Sequence, residues 1–136
     1  MNRQPSWPQA LSDGVVSGTA ASVLSTAALA LCGWVQRRRP AAPNNGPSPW
    51  LWGEREAYER RFTLKHTVTG YVVHHLTSIF WATLHQKMFG GLSAGGGAGQ
   101  HLTRGLSTAA FAAFVDYRLT PRRLQPGFDK HLGPCA

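Results

Sequence analysis

The chain has 136 residues, a net charge of +8 and a hydrophobic content of 43%. That length holds one folded unit, and two cysteines are too few for a disulfide-built scaffold. The positive charge lies in two stretches separated by segments almost free of it, a pattern that speaks against a nucleic-acid binder and for anionic lipid headgroups as partner.

Residues 14–35 contain no charged side chain. As a helix they reach about 33 Å, enough for the hydrocarbon core of a bilayer. They predict a first span that follows an outer tail, 1–13, with Ser12 or Asp13 as cap and Trp34 followed by Arg37, Arg38 and Arg39 at the inner interface. A cleaved signal is the competing reading, because Ala28-Leu29-Ala30 imitates a cleavage site and Leu29-Ala30-Leu31-Cys32 a lipoprotein site. The charge order opposes both: one arginine, Arg3, precedes the run and three follow it. Gly14, Gly18, Ser22 and Thr26 recur every fourth residue and mark a helix-packing stripe, for another helix of this chain or for a second copy.

Residues 36–66 read as a cytoplasmic linker. Pro40, Pro43, Pro47 and Pro49, with Asn44, Asn45 and Gly46, predict an extended, turn-rich segment. Trp50 and Trp52 join Trp34 as interfacial anchors, or alternatively offer an aromatic ligand platform, and the mixed charges of 54–61 predict a short helix lying at the headgroups.

The second predicted span, 67–85, carries Tyr71, His74, Ser78, Trp81 and His85 on one face. Ionisable groups in a span are costly against lipid, so that face should look into the bundle. His74 and His75 fall near the bilayer middle, where Ser25, Thr26 and Thr108 offer hydroxyls for an imidazole hydrogen bond. The alternative is a haem or metal-binding redox protein using His74, His75 and His85, with His66 or His101 as further ligands. Neighbouring helical histidines diverge by about 100°, so His74 and His75 do not readily share one ion, and they lack the i,i+4 spacing of a helical zinc pair.

Gly90 to Gly99 predicts a flexible outer loop; no Lys-Ser/Thr follows its glycines, as a phosphate cradle would need. A third span, 103–119, has Arg104 snorkelling at its outer end and Asp116 near its inner end. Asp116 is expected to pair with Arg118, Arg122 or Lys65, since by helix rise the central histidines lie about 10 Å from its depth. Pro121 and Pro126 end the helix, and 120–136 form a basic cytoplasmic tail. With three spans, eleven of the fourteen Lys and Arg residues fall in the linker and tail, and only Arg3, Lys87 and Arg104 on the other side. Such a bias puts the amino terminus outside and the carboxyl terminus in the cytoplasm. Cys32 and Cys135 are then both cytoplasmic and expected as free thiols.

Ser48-Pro49-Trp50-Leu51-Trp52-Gly53, Thr69-Gly70-Tyr71 with His74-His75, and Val115-Asp116-Tyr117-Arg118-Leu119-Thr120-Pro121 followed by Arg123-Leu124 and Pro126-Gly127-Phe128 carry a resemblance. Together they resemble a family of small bacterial inner-membrane proteins for which no activity is established, over roughly residues 14 to 129. The family has histidine ahead of the Trp-Leu-Trp-Gly motif where this chain has Pro49, so no role tied to that position is implied here. The resemblance implies a bacterial inner-membrane location and no catalytic residues. The expected architecture is an all-α integral membrane bundle of about three transmembrane helices over a proline-rich cytoplasmic linker. Its expected role is structural, accessory or in assembly, with no cofactor, and with a homo-oligomer or another membrane protein as partner.

Overall fold

The computed structural model of the protein describes residues 4–56, 58–128 and 131. Arg3, Lys130 and Cys135, which enter the expectations above, lie outside the described residues, as does Ala57. All regular structure among the described residues is helical: α1 (Trp7–Arg37), α2 (Pro49–Trp52), α3 (Thr69–Phe89) and α4 (Ala98–Phe114), with short helical turns in the connections.

The first helix starts earlier than its uncharged run predicts. Its cap is Ser6, whose hydroxyl accepts from the Gln9 N–H at 3.4 Å, with a proline in the first turn; Ser12 and Asp13 lie inside the helix. At the far end Arg38 adopts φ 56°, and the Arg38 and Arg39 N–H groups return to the carbonyls of Trp34 and Gly33. Those bonds satisfy the last orphan carbonyls of the helix. Left-handed backbone costs a non-glycine residue about 1–2 kcal/mol, and the chain bears it where Gly33 packs on Pro43.

The second long helix runs back along the first. Gly14 faces Thr83 and Gly18 faces Ile79, so the two are antiparallel and touch backbone to backbone. A Cβ on Gly18 would stand 2.6 Å from the Ile79 Cα, and one on Gly14 2.7 Å from the Thr83 Cα. Ser22, next along the stripe, is fully buried. The stripe is therefore filled by α3 of the same chain.

The linker departs most from expectation. Residues 42–49 are all buried, the longest buried run among the described residues. Its prolines do not extend the chain. Pro43 opens the turn Pro43–Asn45 and Pro49 opens α2, because a proline φ near −65° suits the first turn of a helix and its missing N–H is an orphan there anyway. Asn45, 1% exposed, ties this knot together. Its amide donates to the carbonyls of Glu59 and Arg61, both at 2.9 Å, and its carbonyl accepts from the Thr67 hydroxyl at 2.8 Å. The helix expected over 54–61 is only the turn Glu54–Glu56.

Thr63 caps the wider turn Leu64–Val68, which leads directly into α3. The tail then crosses the linker at a glycine pair: Gly127, at φ 70°, lies against Gly46, where neither position has room for a Cβ. Linker, tail and the start of α3 thus form a compact cap at the basic end of the bundle.

At the opposite end the glycine-rich stretch is not an irregular loop. Gly90–Gly95 continues as helical turn, and α4 begins at Ala98 with Gly97 as its cap. Arg104 holds this corner, donating to the Leu92 carbonyl at 3.0 Å and to Gln100 at 3.3 Å. Nearby, Lys87 donates to the Pro5 carbonyl at 2.7 Å with its ammonium over the Trp7 ring. Past Phe114 the fourth helix widens into the turn Val115–Leu119.

Among the described residues one helix, α1, is long and apolar enough to cross a membrane, a test that a signal sequence near the N-terminus also passes. His74, His75, His85, Gln86 and Lys87 lower the apolarity of α3, and α4 keeps regular geometry for only 17 residues.

Candidate functional site

A cavity of about 510 Å³ opens where α4 stands away from the α1/α3 pair. Ser17 and Ala21 of α1, a face of α3 from Val73 to Gln86, and Gly105 to Asp116 of the fourth helix form its walls. Pro47 and Trp50 from the linker, with Pro126 and Phe128 from the tail, close the basic end. Small side chains, Gly105, Ala109 and Ala112, explain the gap on the α4 side. The Trp-Leu-Trp-Gly, histidine, Val-Asp-Tyr-Arg and Pro-Gly-Phe segments each supply a wall residue: Trp50, His74, Asp116 and Phe128.

Two histidines line the cavity, each against a hydroxyl. His74 Nε2 is 2.8 Å from Ser25 Oγ, and His85 Nδ1 is 2.7 Å from Thr108 Oγ1. Both hydroxyls already donate to a backbone carbonyl, Ser25 to Ser22 and Thr108 to Arg104. A hydroxyl has one proton, so in each pair the imidazole N–H donates and the hydroxyl oxygen accepts. His75 points elsewhere: it stacks on Tyr71 at 5.6 Å, and its buried Nδ1 has no hydrogen-bond partner among the described residues. His74 and His85 are separated by about 16 Å of helix and do not converge. Among the described residues, no group of three or more His, Cys, Asp or Glu side chains is placed to hold a metal ion.

The depth of these groups differs from expectation. The His74 ring meets Phe128 of the tail edge-on at 5.6 Å, because the cap folds up against α3. Starting from the His85–Thr108 bond, helix rise carries Asp116 about 12 Å and His74 about 16 Å toward the basic end. The two are within about one turn in depth, not 10 Å apart. Asp116 also lacks its expected ion pair: the ion pairs among the described residues are both made by Glu56, one of them with Lys65.

The tryptophans divide their roles. Trp50 lines the cavity, whereas Trp52 donates its indole N–H to the Lys65 carbonyl and the Thr69 hydroxyl, with the Lys65 ammonium over its ring. Trp34 is half-exposed beneath the Arg38 guanidinium.

A second cluster escapes a reading of the sequence. His66, 5% exposed, joins Glu56 Oε2 at Nε2 and Thr63 Oγ1 at Nδ1, both at 2.7 Å. Thr63 also accepts the His66 N–H, so this carboxylate–imidazole–hydroxyl chain fastens the helix start to the Glu54–Glu56 turn. The bond from His66, and next the Lys65 ammonium, hold the Glu56 carboxyl below its ordinary range. Its only forerunner in the sequence is the Thr63-to-His66 capping spacing. His101, another candidate ligand, is exposed on the fourth helix.

His74→Gln keeps an N–H donor for Ser25 and should melt close to the parent, whereas His74→Leu strands the hydroxyl acceptor at about 1 kcal/mol, the low end for a buried polar atom because Ser25 retains its bond to Ser22. Thermal melts of the two variants in detergent check this; equal losses would mean that the imidazole does something an amide cannot.

Compared with known proteins, the chain matches no family model, no curated protein and no solved structure. What the fold and site define is thus an all-α protein with a mixed polar and apolar cavity walled by helices, linker and tail.

Proposed function

We propose that the chain is a small multi-pass protein of the bacterial inner membrane, with α1, α3 and α4 crossing the bilayer, the cap in the cytoplasm, and a structural, accessory or assembly role. The observation that carries this reading is the radial order of polarity. Val16, Val23 and Leu24 of α1, Leu76 and Phe80 of α3, and Leu102, Leu106, Phe111 and Phe114 of α4 are all more than half exposed. Ser22, Ser25, His74, Ser78, His85 and Thr108 are turned between the helices. Apolar residues outside and polar ones inside reverse the order of a water-soluble bundle and suit lipid as solvent.

Two further features support it. Arg37, Arg38, Arg39, Arg55, Arg60 and Arg61 gather at the cap end, where anionic headgroups would meet them. The resemblance to small inner-membrane proteins points the same way. His74 and His85 have hydroxyl partners and the glycine stripe is filled, so the reading requires neither a catalytic group nor a cofactor.

Topology tests it. A reporter active only in the cytoplasm should work when fused after Leu132 and fail when fused ahead of Ser6. Equal behaviour at both ends would remove one crossing and with it the three-span reading.

A further inference from the structure

Among the described residues, the cavity wall contains one formally charged side chain at neutral pH, Asp116, and no lysine or arginine. The basic residues expected to pair with it are otherwise disposed: Lys65 is held by Glu56, and Arg118 and Arg122 are exposed and lie outside the wall. The two wall histidines each direct an N–H to a hydroxyl whose own proton is already given to a backbone carbonyl. Asp116 is itself only partly exposed, and among the described residues no donor reaches its carboxylate. A carboxylate in a largely apolar recess, with no protein cation beside it among the described residues, is complementary to a positive ligand.

The surroundings narrow the class of that ligand. Most of the wall is apolar, and the aromatic rings of Trp50, Trp81 and Phe128 share the cavity with the carboxylate. Aromatic faces attract cations, and more strongly once water is removed. A hydrated metal ion would gain little from such walls, because hard cations need several oxygen ligands and Asp116 is the only carboxylate there among the described residues. The volume falls within the range of about 300–1,000 Å³ usual for small-molecule sites.

We propose that this cavity binds a lipophilic monocation, an amine or onium ion whose charge lies at Asp116 among the rings of Trp50, Trp81 and Phe128 and whose apolar body lies along Ala109 and Ala112. The site extends the structural role with a ligand-binding one. It does not depend on the number of membrane crossings, so topology and binding can fail separately.

The test uses the full chain in a neutral maltoside detergent, with tetraphenylphosphonium and tetraphenylborate as probes. They match in size and apolar surface and differ in the sign of charge. Equilibrium dialysis should show saturable phosphonium binding at about one per chain and at least about tenfold weaker borate binding. Asp116→Asn should lower phosphonium affinity by about tenfold or more and erase the preference for the cation. Ala112→Phe, which fills the cavity, should abolish binding of the phosphonium. Borate bound as well as phosphonium, uptake that never saturates, or parental affinity in Asp116→Asn would overturn the proposal. Should Asp116→Asn fail to fold, Ala112→Phe decides: retained phosphonium binding overturns the assignment, and its loss in a folded variant sustains it.

Discussion

Asn45→Ala is expected to destabilise the protein by about 3 kcal/mol and to open its cap. The side chain is 1% exposed and makes three hydrogen bonds, to the carbonyls of Glu59 and Arg61 and from the Thr67 hydroxyl. A buried polar group that loses its partner costs about 1–3 kcal/mol; water can reach the carbonyls of the more exposed 59–61 segment, which keeps the sum near the lower bound. Asn44→Ala is the control, since that amide makes one long contact, 3.5 Å, to the Pro40 carbonyl. Thermal melting in detergent measures the loss, and limited trypsin digestion localises it, because release of the 59–61 segment exposes the bonds after Arg60 and Arg61. Equal melting and digestion of the two variants would mean that Asn45 does not organise the cap.

Gly18→Leu should be comparably damaging for a different reason. Overpacking a well-filled contact costs about 1–3 kcal/mol and occasionally more. Here even the first added carbon would stand 2.6 Å from the Ile79 Cα and 2.9 Å from its backbone nitrogen, and backbone cannot rotate away as a side chain can. The helices must separate, with loss of the packing along the whole stripe. Val16→Leu, at a position 72% exposed, should leave yield and melting temperature near the parent. If Gly18→Leu melts like Val16→Leu, α1 and α3 do not meet at this seam.

The parts of this structure legible in the sequence are those encoded by spacing within one helix. The uncharged run of 14–35 announces α1, and the recurrence of small residues every fourth position announces a face of close approach. Ser25 as a neighbour of His74 follows from counting along two helices whose ends are marked by charge. The cap resists such counting, because its prolines carry opposite meanings in a loop and at a helix start, and nothing local in Pro43-Asn44-Asn45 says that Glu59, Arg61 and Thr67 will meet there. The depth of Asp116 is hidden by a related effect. Glycines 90–97 give no sign of how much of the link is helical, so the register of the fourth helix against α3 emerges only from the His85–Thr108 and Trp81–Phe111 contacts. Trp50 and Phe128 are missed as cavity residues for the same reason: each is brought in by chain far away in sequence.

The crossing of Gly46 and Gly127 sets an order of events during synthesis. The seam between α1 and α3 has all its residues once position 89 has left the ribosome, so that hairpin can dock early. The linker between them can make its Asn45 bonds by then, but it cannot be closed. Its central glycine waits for a partner 81 positions later, and until that partner arrives the linker lacks the backbone that closes over it. The order of the chain thus separates two stages, a pairing of helices that can come early and a sealing of the base that must come late, and a nascent chain halted before Pro126 is expected to hold the first without the second.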